Sequence, residues 1–175
     1  FISITACFIF LNYIFLFSFT ALINQQPMGF WGLETLKEDA RRHKIAFLNP
    51  DINLSYRECI MENNSIRLGL LNVSKIGKAT ADLIIKDRNI NGLYNSISDF
   101  VHRVGLKNND AKNLIRSEAF ESLNKDKRAL LWEVGLVNKP KLKQLSIRFS
   151  LSSDKVSLKL LNDWESMLME YKTLG

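Results

Sequence analysis

Two short stretches of this chain bring together residue types that can hold an anion. Ser74-Lys75-Ile76-Gly77-Lys78 sets a glycine among lysines, and Gly105-Leu106-Lys107-Asn108-Asn109 sets a glycine before a lysine and two asparagines, with Lys112 further on. Main-chain N–H groups at the start of a helix suit a phosphate oxygen, because those donors lack partners and the dipole end is positive. Lysine ammonium groups add charge. Gly77 is expected to supply a turn at positive φ and a point of close backbone approach, since it has no Cβ. The expected donors are the amides of Ile76, Gly77 and Lys78 in the first corner and of Lys107, Asn108 and Asn109 in the second, each set meeting one strand.

The flanking residues are spaced to place these corners between helices. Ile66, Leu70, Leu71 and Val73 precede the first corner, and Ala79, Leu83 and Ile84 follow it at helical spacing. Ser96 and Asp99 resemble a capping box with Asp in place of the usual Glu or Gln, opening a helix that carries Ile97, Phe100, Val101 and Val104. Asn109 is expected to cap the next helix, with Ala111, Leu114 and Ile115 on its inner face. The pattern is two successive helix–hairpin–helix units. A glycine between short amphipathic helices also occurs where the hairpin only packs, so a scaffold that holds no ligand stands as the rival. Charge favours a ligand: from Ile66 to Arg128 there are 12 Lys or Arg against 7 Asp or Glu, which is +5 of the chain's +6. Basicity concentrated on the candidate unit is what recognition of a nucleic-acid backbone requires, and phosphate contacts position a protein without reading bases.

Across 175 residues, 46% apolar and 24% charged is an ordinary globular composition, and a pI near 9.4 points to an acidic partner, nucleic acid or an anionic membrane surface. Cys7 and Cys59 stand far apart with no CxxC, and His43 and His102 are isolated, so neither a metal site nor a catalytic set is expected. No Gly-rich phosphate loop, Ser/His/Asp set or carboxylate pair in an apolar context occurs. Residues 1–23 hold no charge and reach the length of a membrane span, yet Asn12 lies near the middle and the aromatic residues run throughout instead of gathering at the ends. A membrane-spanning helix and a core helix fit this run equally. Residues 24–64 read as a turn, a short charged helix with Leu33, Leu36 and Ala40 on one side, and an irregular connection with one short strand near Ala46 and Leu48. After the domain at 65–135, residues 136–160 read as a linker. Residues 161–175 read as an amphipathic helix with Leu161, Trp164, Met167, Leu168 and Tyr171 facing an absent partner.

Specific pieces of the sequence resemble the bacterial family C DNA polymerases, and among them the error-prone branch. They are Phe19-Thr-Ala-Leu-Ile-Asn24, Gln26-Pro-Met-Gly-Phe30, Asp39-Ala-Arg-Arg-His43, Pro50-Asp-Ile-Asn53, Ile66-Arg-Leu-Gly-Leu70, Ser98-Asp-Phe100, Glu118-Ala-Phe120 and Asp126-Lys-Arg-Ala-Leu-Leu-Trp132. The resemblance implies an all-α segment: the end of the fingers, a tandem helix–hairpin–helix domain that grips duplex DNA, a linker, and the helix before an OB-fold. It implies the rest of a polymerase chain as partner, a cytoplasmic location, and roles in replication and translesion repair. No catalytic residue is expected here, and no cofactor, since the Mg2+ of the family belongs to a palm with no counterpart in these residues. Two departures stand out. The family pattern at the first corner is Gly-hydrophobic-Gly, and Lys75 occupies the place of the first glycine. Near Asn12, family polar positions have become apolar, as in a truncated or decayed gene copy. The alternative to this reading is a small membrane-anchored protein whose basic part faces the cytoplasm.

Overall fold

In a computed structural model, residues 2–26, 31–124, 126–137 and 162–174 are described. The fold is mostly helical, as expected. Helices α1 (Ile2–Asn24) and α2 (Leu33–Arg42) lead into strand β1 (Ala46–Leu48), and β2 (Ile60–Glu62) and β3 (Ser65–Arg67) follow. A 3-10 turn at Leu70–Asn72 precedes α3 (Lys78–Asn91), α4 (Ile97–Val104), α5 (Asn108–Arg116), α6 (Lys127–Val137) and α7 (Asp163–Leu174). The expected linker at 136–160 lies almost wholly outside the described residues.

The small sheet has the order β1-β3-β2, with β1 parallel and β2 antiparallel to β3. The sequence suggests only β1, and reads Ile66 to Val73 as a helix. Ile66 is instead the buried centre of a three-residue strand, and Leu70 enters the core from the 3-10 turn. What diverts the chain is Gly69. A Cβ there would stand 2.4 Å from the carbonyl carbon of Glu58 and 2.6 Å from the oxygen of Arg57. That approach lets the amides of Leu70 and Leu71 bond the carbonyls of Tyr56 and Arg57 at 3.0 and 3.1 Å. The glycine of close backbone contact is therefore Gly69, not Gly77.

Residues 50–55 join the sheet to the helices. Asp51 accepts the amides of Asn53 and Leu54 on Oδ1, and its own amide donates to Ser55 Oγ, which in turn donates to the Leu68 carbonyl. Asn53 makes a reciprocal pair with the main chain of Tyr94, Ile52 bonds Ala119 through its amide, and Arg88 Nη1 donates to the Ile52 carbonyl at 2.9 Å. A buried loop needs such a complete set of partners, because an orphaned polar group is costly away from water. Beside it Tyr94, Phe100 and Phe120 stack edge to face, with centroids 4.9 and 5.1 Å apart.

The uncharged first helix resolves into a core element at its C-terminal end. Leu16, Phe19 and Ile23 are buried, and α1 packs against α2, β2 and β3. Asn24 closes it with a two-way bond to the main chain of Cys59, at 3.0 and 2.8 Å. His43 stacks on Phe15 with centroids 4.3 Å apart. A span needs about 20 free apolar residues, and the last third of α1 is engaged with the fold. Among the described residues no helix is long and apolar enough to cross a membrane. Phe10, Tyr13 and Phe17 remain exposed on its outer side.

Arg103 braces α4 against the end of α3. Its guanidinium donates to the Gly92 carbonyl at 2.8 Å, pairs with Asp87 at 2.8 Å and Asp99 at 3.2 Å, and lies 4.4 Å from the Tyr94 ring centroid. Burial pushes the Asp87 carboxyl up, but hydrogen bonds from Asn91 and Tyr94 and the charge of Arg103 outweigh it and leave it lowered. Across β2 and β3, Arg67 grips Glu62 with two nitrogens, and that hydrogen bonding holds the Glu62 carboxyl below its ordinary value against the effect of burial.

Two outcomes are expected. Gly69→Ala loses about 2–3 kcal/mol in urea unfolding because backbone must move to admit the methyl group; a loss below about 0.5 kcal/mol contradicts the close approach. Glu62 and Asp87 bind protons less readily folded than unfolded, so their stabilisation is complete above the ordinary carboxylate range and disappears as pH falls below about 4. Thermal melts of Glu62→Gln should accordingly show a flatter acid limb than those of the unsubstituted chain.

Candidate functional site

The first corner is built between the 3-10 turn and α3. The left-handed residue is Lys75, at φ +66°, and not Gly77, whose φ is −88°. Gly77 is the N-cap of α3, extended, with no side chain closing the helix end and open space where a Cβ would stand. So the expectation for Gly77 is corrected on both counts: neither its conformation nor its surroundings demand glycine. A lysine in the left-handed region costs about 1–2 kcal/mol. It stands where the resembling family has its first glycine, which has no such cost.

Not every amide of the corner is available. The Ser74 amide donates to the Thr173 carbonyl in the last turn of α7 at 2.8 Å, and the Ile76 amide turns back to Val73 at 3.1 Å. Ile76 is buried. The first helical bond of α3 runs from Ala81 to the Gly77 carbonyl, so the amides of Lys78, Ala79 and Thr80 have no partner within the helix. The donors at this corner thus lie two residues further into α3 than expected, with Lys78 common to both sets, and Ala79 and Thr80 are the ones the residue pattern did not reveal. The signal that finds them is the absence of any Ser, Thr, Asn or Asp at the cap.

The second corner follows α4. Ser96 Oγ accepts the Asp99 amide at 3.1 Å, as the capping pattern implies, while Asp99 reaches the Asn95 amide. Gly105 ends α4 in the left-handed region, φ +63°. The helix that follows starts two residues earlier than expected: Lys107 is the N-cap of α5, without a side-chain bond, and Asn109 lies inside the first turn instead of capping it. Asp110 and Ala111 both donate to the Lys107 carbonyl, and the amides of Asn108 and Asn109 have no main-chain partner among the described residues. The Asn108 Oδ1 is buried and meets no donor among the described residues. Asp110 in this first turn opposes an anion, whereas α3 carries no acidic residue in its first turn.

Three other helix starts are closed by the chain's own side chains, while that of α2, at Gly32, has no side-chain cap but carries Glu34 in its first turn. Ser96 caps α4, Asp126 accepts the amides of Arg128 and Ala129 at the start of α6, and Asn162 accepts that of Glu165 in α7. The corner lysines share with Lys86 and Arg116 the lack of a salt bridge among the described residues. Lys37, Arg67, Arg103 and Lys127 sit in ion pairs, but Lys75, Lys78, Lys107 and Lys112 have no carboxylate partner among the described residues. Lys75, Lys78 and Lys107 are exposed and Lys112 is half-buried. Open amides and unpaired ammonium groups together make each corner fit to receive a phosphate, the first better than the second. Among the described residues no group of His, Cys, Asp or Glu is arranged to hold a metal ion.

Residues 44–130 match the family model described as a helix-hairpin-helix motif. The chain is 37% identical over 117 residues to the error-prone DNA polymerase of Corynebacterium diphtheriae, a match covering 67% of this chain and 11% of that protein. It is 37% identical over 124 residues to the error-prone DNA polymerase of Nocardia farcinica and 35% identical over 119 residues to that of Brucella abortus, each covering 65% of this chain and 11% of the relative. The chain thus spans about 11% of the length of the curated relatives it matches. With the helix–hairpin–helix geometry in place, these similarities show that the chain belongs to the family C DNA polymerases, as a stretch homologous to the error-prone enzymes.

Proposed function

We propose that this chain holds duplex DNA by its sugar–phosphate backbone, without sequence preference, as the helix–hairpin–helix portion of a family C polymerase of the error-prone kind. The observation that carries the reading is the contrast among helix ends. Among the described residues those of α3 and α5 are left open beside lysines without a carboxylate partner, while α4, α6 and α7 are capped internally and the uncapped α2 pairs its acidic Glu34 with Lys37. In use, the amides of Lys78, Ala79 and Thr80 meet phosphates at the first corner, and those of Asn108 and Asn109 meet them at the second. Lys75, Lys78, Lys107 and Lys112 supply charge. Gly77 and Gly105 keep the approach clear of side chains. No metal ion takes part in this grip. Base edges are not touched, so the affinity is electrostatic and the same for any sequence.

Error-prone DNA polymerase is the activity named for the relatives. Here the corresponding role is to steady the duplex for a catalytic centre supplied by other residues, during replication past damage, in the cytoplasm. The exposed aromatic side of α1, with Phe10, Tyr13 and Phe17, suits contact with the remainder of such a polymerase.

Engagement of about two to four phosphates gives a log–log salt slope of roughly −2 to −4 on duplex DNA of any sequence. Gly77→Leu is a clean probe, because its φ is ordinary and nothing stands within 4 Å of the added Cβ. It should cost only about 1 kcal/mol of stability while making the slope shallower by about one to two. Fluorescence anisotropy across a salt series reads both quantities. A chain that folds but shows no salt-dependent binding, or a Gly77→Leu variant that binds undiminished, favours the hairpins as packing elements alone.

A further inference from the structure

The Asn113 amide lies outside the phosphate-facing residues, yet it touches the first corner from the second hairpin. Asn113 stands on α5, is only 8% exposed, and donates from Nδ2 to the Ser74 carbonyl at 3.0 Å. The amide of the same serine donates to Thr173 at 2.8 Å. Ser74 is therefore held from both its donor and its acceptor, and the very next residue is Lys75 in the left-handed region. A strained conformation persists only where its surroundings over-determine it.

We propose that Asn113 is a positioning residue which keeps the Lys75 corner in its phosphate-receiving shape and so couples the two hairpins. The proposal rests on the phosphate-binding reading. Without the Asn113 bond the Ser74 carbonyl loses its fixed direction, and Lys75 is free to relax to negative φ. That rotation redirects Gly77 and the first turn of α3. One buried side chain on the helix after the second corner thereby sets the geometry of the first.

The test uses the full chain, a labelled duplex and anisotropy across salt, with thermal melting to monitor the fold. Asn113→Ala should weaken binding about fivefold to tenfold. Lys75→Gly removes one cation, making the slope shallower by about one, but it also removes the strain that Asn113 opposes. The double variant Lys75→Gly with Asn113→Ala should therefore bind no more weakly than Lys75→Gly alone. Undiminished binding by Asn113→Ala, or a double variant whose loss is the product of the two single losses, overturns the assignment. If Asn113→Ala does not fold, Asn113→Asp keeps the size and removes the Nδ2 donor. Loss of the fold in both, unrescued by Lys75→Gly, assigns Asn113 to general stability and overturns the proposal. Absence of binding by the unsubstituted chain is a different result, which removes the phosphate reading itself.

Discussion

The position of Ser74, held through its amide by Thr173 and through its carbonyl by Asn113, is the constraint on which the first corner depends. Two bonds on one residue fix where the chain enters Lys75, and from there the start of α3 has little freedom. Both partners come from far along the sequence, one in α5 and one in the last turn of α7. A local hairpin with an unfavourable backbone is thus stabilised by long-range polar contacts as well as by its own apolar residues. Ile76 adds to this by burying its side chain at the turn.

Behind the corners lies the loop at 50–55, where nearly every polar group serves two elements at once. Asp51 and Ser55 order the loop, Ile52 reaches Ala119 and Arg88, and Asn53 holds Tyr94. Sheet, third helix and the end of the fifth are therefore registered to one another through a single buried segment. Apolar packing supplies the driving force, since one continuous cluster runs from Leu16 to Leu174. The polar bonds choose which packing it is.

Much of this was legible in the sequence, and the exceptions have physical causes. Ile97, Phe100, Val101 and Val104 are all buried on α4, because three- and four-residue spacing has one meaning when a serine cap precedes it. The stretch from Ile66 to Val73 has no such cap and is too short for its period to decide, and the strand that forms depends on Gly69 meeting Glu58. At the first corner positive φ was expected of Gly77, but that conformation went to Lys75, since tertiary bonds override the preference of a residue for negative φ. Residues 1–23 could not be divided between membrane and core by hydropathy alone; the two-way bond of Asn24 with Cys59, distant in sequence, was invisible to it. Asn109 looked like a cap by residue type, while Lys107 holds that place by backbone geometry.

An uncapped helix end has a consequence for the chain at rest. Among the described residues no side chain caps the first turns of α3 and α5, so they are where these helices fray first. An oxyanion that settles there does the work a serine does at α4, and the helix and its visitor are then ordered in one step. Occupancy and rigidity become a single equilibrium at these two places.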